Sequence, residues 1–293
     1  MQTLENYLQE HYSKTSITGY KYMIKQYLAY MGDSAKTAVY QDVLNYIGYL
    51  RTKQLHPKTL RNTLFAIKIY YRWLVLTGQR NDHPCQDLHL HDKINRSIAV
   101  ENLYNMKELE EFLEQYEHKS DYVKQRDKTI ISLLIYQALT VLEISQLEIN
   151  NIDLEKGSVY IKSNVKTKSR TLPLKPNQIM MLHNYIKETR TILLSRNKTP
   201  SHEDQNALIL SQTGTRILQH GISRQINQGK PGHRKMQPIK IRQSVIAHLL
   251  KQNHDLRIVQ VFAGHKRAAS TEEYKQTGLE ELKTAIQKHH PLQ

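Results

Sequence analysis

Apolar residues recur at helical spacing through most of this 293-residue chain. Tyr20, Ile24, Tyr27, Leu28 and Met31 repeat at intervals that place them on one helical face. The Ser/Thr-rich stretch from Ser13 to Thr18 offers side chains suited to N-capping that helix. Val43, Tyr46, Ile47 and Leu50 mark a second helix over residues 39–53. A third starts at His56-Pro57, where proline is tolerated in a first turn, and carries Leu60, Leu64, Ile67, Tyr71 and Leu74. With a short N-terminal helix, these elements predict a small helical bundle whose aromatic residues read as core.

The period ends at His83-Pro84, and residues 88–101 sustain none. The expected organisation is a helical domain over 1–91, a linker over 92–104 and a second domain over 105–293. Asn105-x-x-Glu108 has the form of a capping box opening a helix through Tyr116, and another helix is expected from Asp121 to Leu139. Residues 157–163 and 168–174 alternate as two strands of a basic hairpin. Helices are expected at 176–195, 217–228, 238–252 and 255–263, with a short strand at 207–210. The fold class is therefore mainly α with a small β hairpin, the second domain being α+β.

Composition narrows the partners. Lys and Arg total 42 against 27 Asp and Glu, a formal charge of +15, which favours an acidic partner and nucleic acid first. No window approaches the ~20 apolar residues of a spanning helix, so a membrane partner is not expected. The first residues have neither the basic nor the apolar part of a signal peptide. A single cysteine, Cys85, excludes an internal disulfide and fits a reducing cytoplasm.

The candidate chemistry lies in residues 238–291. Breaking and rejoining a DNA strand without metal or ATP needs a nucleophile that conserves the bond energy as a covalent ester. It also needs cations and hydrogen-bond donors around the phosphate, and an acid for the departing oxygen. Ile239-Lys-Ile-Arg242-Gln-Ser244-Val-Ile-Ala247-His-Leu-Leu250, then Gly264-His265, then Thr271-x-x-Tyr274 resemble the second and third catalytic boxes of the tyrosine recombinases, or phage integrases. Arg126-Asp127 and Lys166-Thr-Lys168-Ser-Arg170-Thr-Leu-Pro-Leu174 resemble the family's lead-in to its first box and its lysine-bearing hairpin.

The resemblance implies a two-domain clamp on duplex DNA, with an N-terminal SAM-like core-binding bundle and a C-terminal catalytic domain. It implies Tyr274 as nucleophile forming a 3′-phosphotyrosyl intermediate, with Arg242, His265 and Lys166 as its helpers and no metal or other cofactor. Such proteins serve DNA integration and recombination, often for mobile genetic elements.

Two positions depart from that pattern. The first box usually reads Thr-Gly-Leu-Arg; here Thr140-Val-Leu-Glu143 puts a carboxylate where a phosphate-clamping arginine is expected. Ile239 replaces the histidine that opens the second box. Losing one oxyanion donor costs about 3–4 kcal/mol. A carboxylate ~4 Å from the phosphate adds repulsion of about 4 kcal/mol at an effective dielectric of ~20. Three readings follow: a working recombinase in which Arg170 or Arg126 supplies the missing charge, a silent accessory recombinase, or a DNA-binding regulator that keeps the clamp alone. Glu143 could also pair with Arg242 or Lys166 and hold an inactive site together.

For DNA contact, Lys58, Thr59, Arg61, Asn62, Lys68 and Arg72 fall on the third helix of the bundle, with Lys168 and Arg170 on the hairpin. Such contacts to phosphate position a protein rather than specify a sequence. Leu279, Leu282 and Ile286 form an apolar stripe on an expected last helix. In similar recombinases that helix docks on a neighbouring protomer, which implies a DNA-bound tetramer of identical or different subunits.

Overall fold

The computed structural model describes residues 3–93, 98, 102–232 and 235–274, and the chain divides into two compact units, Met1–Asn95 and Arg96–Gln293. The expected last helix with Leu279, Leu282 and Ile286 lies outside the described residues. Among those described, no helix is long and apolar enough to cross a membrane.

The first unit holds α1 (Leu4–His11), α2 (Lys14–Met31), α3 (Tyr40–Thr52) and α4 (Pro57–Leu76). Thr3 caps α1 through its hydroxyl, and His56 caps α4 by accepting from the Lys58 N–H ahead of Pro57. The periodic residues form the core: Ile24, Tyr27, Val43, Tyr46, Ile47, Leu60, Leu64, Ile67, Tyr71 and Leu74 are all buried. Two buried tyrosines keep their polar ends satisfied, Tyr27 and Tyr71 sharing a 2.6 Å hydrogen bond while Tyr71 also donates to the Ala35 carbonyl. Not every aromatic follows. Tyr22, Tyr30, Tyr40, Tyr49 and Phe65 are exposed, so the expectation that aromatics are core holds for only some of them.

Residues 83–92 fold back onto this unit despite their lack of period. Cys85 and Leu88 are buried, Arg61 donates to the Asp92 carbonyl at 2.6 Å, and Lys68 donates to the Gln86 carbonyl at 2.7 Å. Arg51 pairs with the Asp92 carboxylate at 2.8 Å.

The second unit is built round α6 (Asp121–Tyr136), whose residues 129–135 are buried on every side. Packed on it are α5 (Met106–Glu114), α8 (Pro176–Asn184), α11 (Gln219–Ile226) and α12 (Pro238–Lys251). The Asn105/Glu108 capping box opens α5 as expected. The sheet has three antiparallel strands rather than two: β1 (Ile152–Asp153), β2 (Ser158–Ile161) and β3 (Arg170–Pro173), in that order. Val159 opposes Leu172 and Ile161 opposes Arg170. Strand β1 has only two residues, too short for a periodic signal.

Other departures are local. The helix expected over 176–195 is interrupted by a π turn at Tyr185–Thr189 before α9 (Arg190–Leu194). There Tyr185 is buried and its hydroxyl accepts from the Leu210 N–H. Residues 207–210 form isolated bridges from Ala207 to Glu148 and from Leu210 to Arg216, not a strand. Two short helices, α7 (Val141–Gln146) and α10 (His202–Asn206), were not foreseen. The remaining element is α13 (Leu256–Ala263), which ends at Gly264 in the left-handed region.

Candidate active site

The site gathers around the turn from residue 162 to 169 between β2 and β3, the first turn of α7 and the C-terminus of α13. Helix α7 is only six residues long, so its ends must be satisfied from side chains. Thr140 and Glu143 do this reciprocally: the Thr140 hydroxyl accepts from the Glu143 N–H, and the Glu143 carboxylate accepts from the Thr140 N–H at 2.8 Å. The same carboxylate reaches into the hairpin. Its Oε1 accepts from Thr167 Oγ1 at 2.8 Å and from Arg170 Nη1 at 2.6 Å. Arg242 Nη1 stands 4.0 Å from its Oε2.

Glu143 is thus 2% exposed but surrounded by donors. Burial pushes its carboxyl up, yet the Arg170 bond and charge, the Thr140 backbone and Arg242 together bring it below the ordinary carboxylate value. Of the two partners expected for it, Arg242 is near, but the direct partner is Arg170, which was not among them. Lys166 is not involved: it is exposed, and among the described residues no carboxylate lies within ion-pair distance of it. Arg126 is also excluded as a substitute for the missing arginine. It is fully buried, bonded to Asp127, and ~15 Å along α6 from that helix's last residue.

Arg242 projects from α12 and is 4% exposed. It donates through Nη1 to the Ala138 carbonyl and through Nη2 to the Ala263 carbonyl, so it joins the turn before α7 to the end of α13. One residue further on, Gly264 adopts φ +69°. A Cβ there would strike Arg170 Nη1 and lie 2.9 Å from Arg170 Cζ. The glycine therefore serves both the left-handed turn and the close approach of Arg170. The hairpin turn is sewn to this corner by a Lys168 N–H bond to the Gly264 carbonyl and a bridge between Thr167 and His265.

His265 follows directly. Its Nδ1 bonds Thr271 Oγ1 at 2.8 Å, and its ring stacks near Tyr274 with centroids 6.3 Å apart and 20° between planes. Burial, then Arg242 and Arg170, lower its pKa to about 4, so the ring is neutral near pH 7. Tyr274 packs against Ile246, Val259 and Ala263, and burial raises its pKa while Arg242 opposes the rise.

The structure brings together Arg242, His265, Tyr274, Glu143 and Arg170. Arg170, expected as a surface contact to DNA, is instead 6% exposed and inside the site. Ile239 is 59% exposed on the first turn of α12. Of the hairpin lysines, Lys162 is tied to Glu148 at 2.7 Å, whereas Lys166 and Lys168 are exposed. On α4, Lys58, Thr59, Asn62 and Arg72 are exposed. Arg61 and Lys68 are partly spent on the carbonyls that hold residues 83–92. The sequence motifs include Thr140 and Thr271 without assigning them a role, and Thr167 carried no signal. The first was legible, because Thr140-x-x-Glu143 has the form of a capping box.

Residues 102–280 match the model of the phage integrase family, and residues 1–79 that of a phage integrase N-terminal SAM-like domain. The chain is 26% identical over 291 residues to the tyrosine recombinase XerC of Bacillus subtilis (strain 168), covering 97% of this chain and 93% of that one. It is 25% identical over 287 residues to the tyrosine recombinase XerD of Oceanobacillus iheyensis, covering 95% and 93%. Among solved structures, the XerH site-specific recombinase bound to its difH substrate is similar with a TM-score of 0.67 at 19% identity, over 89% of this chain and 77% of that one. A lambda integrase dimer bound to a core site gives 0.63 at 13% identity, over 92% of each chain. These two likenesses concern the fold.

Proposed function

The chain belongs to the phage integrase family, and on that premise we propose that it cleaves and rejoins duplex DNA through Tyr274, with Arg170 standing in for the missing first-box arginine. The Tyr274 hydroxyl oxygen attacks the phosphorus, the bond to the 5′-oxygen breaks, and a 3′-phosphotyrosyl ester remains. Neutral His265, oriented by Thr271, is in a state to accept a proton or a hydrogen bond beside the tyrosine. Arg242 supplies charge to the phosphoryl oxygens, and Lys166, exposed on the hairpin turn, protonates the departing 5′-oxygen. Attack by an incoming 5′-hydroxyl reverses the steps and reseals a strand.

The observation that carries this reading is the Glu143–Arg170 pair next to Arg242, His265 and Tyr274. The carboxylate does not stand alone against a phosphate; it is answered by a guanidinium from β3. Arg170 Nε and Nη2 are buried and have no hydrogen-bond partner among the described residues. Such unmet donors favour an anion, and the Nε–Nη2 edge has the forked geometry that takes phosphate bidentately.

A second reading, an accessory recombinase or regulator that binds DNA without cutting, is favoured by the same carboxylate. Glu143 already satisfies Arg170 Nη1 and stands near Arg242, so it competes with a phosphate for both. The test uses a nicked suicide duplex carrying the site that the full chain selects from a random pool. A covalent adduct lost in Tyr274→Phe supports strand transfer. Specific binding with no adduct supports the accessory reading instead.

A further inference from the structure

The first unit contains a cavity of about 680 Å³ between α2, α3 and the start of α4. Tyr22, Tyr30 and Tyr49 line it, with Lys53 and Thr59 among its polar groups and no carboxylate in its lining. That size is within the usual range of small-molecule sites. Three of its four aromatic walls are not core: Tyr22 is 65% exposed, Tyr30 45% and Tyr49 39%, whereas Tyr46 is buried. They are nonetheless ordered against one another. Tyr30 and Tyr49 stack with centroids 4.9 Å apart, and Tyr30 also lies 4.8 Å from the buried Tyr46. The Lys53 ammonium sits 4.4 Å from the centre of the Tyr49 ring.

The lining chooses among occupants. A cationic ligand would meet Lys53 with no carboxylate to offset it. An apolar helix would have to desolvate the ammonium and the polar edges of the site. A planar group joined to an anion suits both halves, since rings accept a stacked face and Lys53 accepts the charge. Thr59 also belongs to the exposed polar run of α4 with Lys58 and Asn62, so the cavity borders the stripe expected to meet DNA phosphates. We propose that this cavity is a stacking site for one unpaired DNA base, with Lys53 taking the adjoining phosphate. This goes beyond strand transfer at Tyr274 and does not depend on it.

The test measures anisotropy of a labelled single strand of about 12 nucleotides, within the usual range of site sizes, with the full chain. The same length of abasic backbone and a duplex serve as comparisons, and thermal melts check each variant's fold. Tyr30→Ala with Tyr49→Ala is expected to weaken single-strand binding about tenfold or more, since each stacked base is worth that much. The double phenylalanine variant should stay near wild type, as should duplex binding by the alanine pair. Lys53→Ala should weaken the single strand without altering the melt. The proposal is overturned if the alanine pair binds single strands as tightly as wild type, or if the abasic strand binds as well as the one with bases. A change in self-association with unchanged single-strand affinity would make the cavity a protein-docking surface and also overturn it. Failure of the Tyr274 adduct leaves these outcomes untouched, so the two readings fail separately.

Discussion

Glu143 and Ile239 both occupy positions where the family pattern has a hydrogen-bond donor, yet one is 2% exposed and the other 59%. At the buried position donors from three residues face the carboxylate. A carboxylate out of water must be compensated, and Thr140, Thr167 and Arg170 all turn donors towards it. At the exposed position an isoleucine on the first turn of a helix in solvent asks for no partner. The buried change therefore alters fold energetics and chemistry together, whereas the exposed one removes a functional group and little else.

That contrast can be broken most forcefully at Glu143. Glu143→Ala leaves Arg170 as an uncompensated buried charge and should cost about 3–5 kcal/mol, read from urea denaturation of the full chain. A loss under 1 kcal/mol would mean the pair is not holding the corner together. Glu143→Arg should be at least as damaging, because it sets a second guanidinium against Arg170, so an arginine at this position is not expected to raise strand cleavage.

Gly264→Ala comes next. An alanine in the left-handed region costs about 1–2 kcal/mol, and its Cβ displaces Arg170 from Glu143. Its cost should shrink when Arg170 is also replaced by Lys, which a double-mutant cycle would reveal as coupling.

The pH dependence sharpens the same point. His265 titrates near 4 in the folded chain against an ordinary 6.5. As pH falls from about 6.5 to about 4, the unfolded state takes up a proton that the folded state refuses, so stability drops. Glu143 acts in the same direction lower down: its contribution is full above the ordinary carboxylate value and fades as pH falls through its depressed folded value. The urea midpoint should therefore be lower at pH 5 than at pH 7, and His265→Asn should flatten that slope. A midpoint independent of pH would contradict the buried neutral imidazole.

The smallest stability effect belongs to Ile239→His, within about 0.5 kcal/mol for an exposed position. Its effect on chemistry should be the opposite of small, with faster adduct formation on the nicked duplex if Tyr274 is competent. Equal rates for the two proteins would mean that the second-box histidine is dispensable here.

Much of this architecture was legible from residue pattern. The core face of α4 from Leu60 to Leu74, the capping box that opens α5 and the α12–α13 spacing that carries Arg242, His265 and Tyr274 are all local signals. Side-chain period and cap chemistry act within a few residues, so a chain displays them without its fold. The capping form of Thr140-x-x-Glu143 is equally local.

What only the tertiary structure decided concerns groups far apart in the chain. That Glu143 meets Arg170 rather than Lys166 depends on how the hairpin lies against α7 and α13. That Tyr30 and Tyr49 are exposed while Tyr27 and Tyr71 are buried depends on which face each helix turns to its neighbours. The sequence by itself determined the family and the helical elements, and it pointed to Arg242, His265 and Tyr274, which the fold brings close together. The structure decided where the charge of the site comes from, because electrostatic partners are chosen by distance in space, and burial sets how strongly each must be answered.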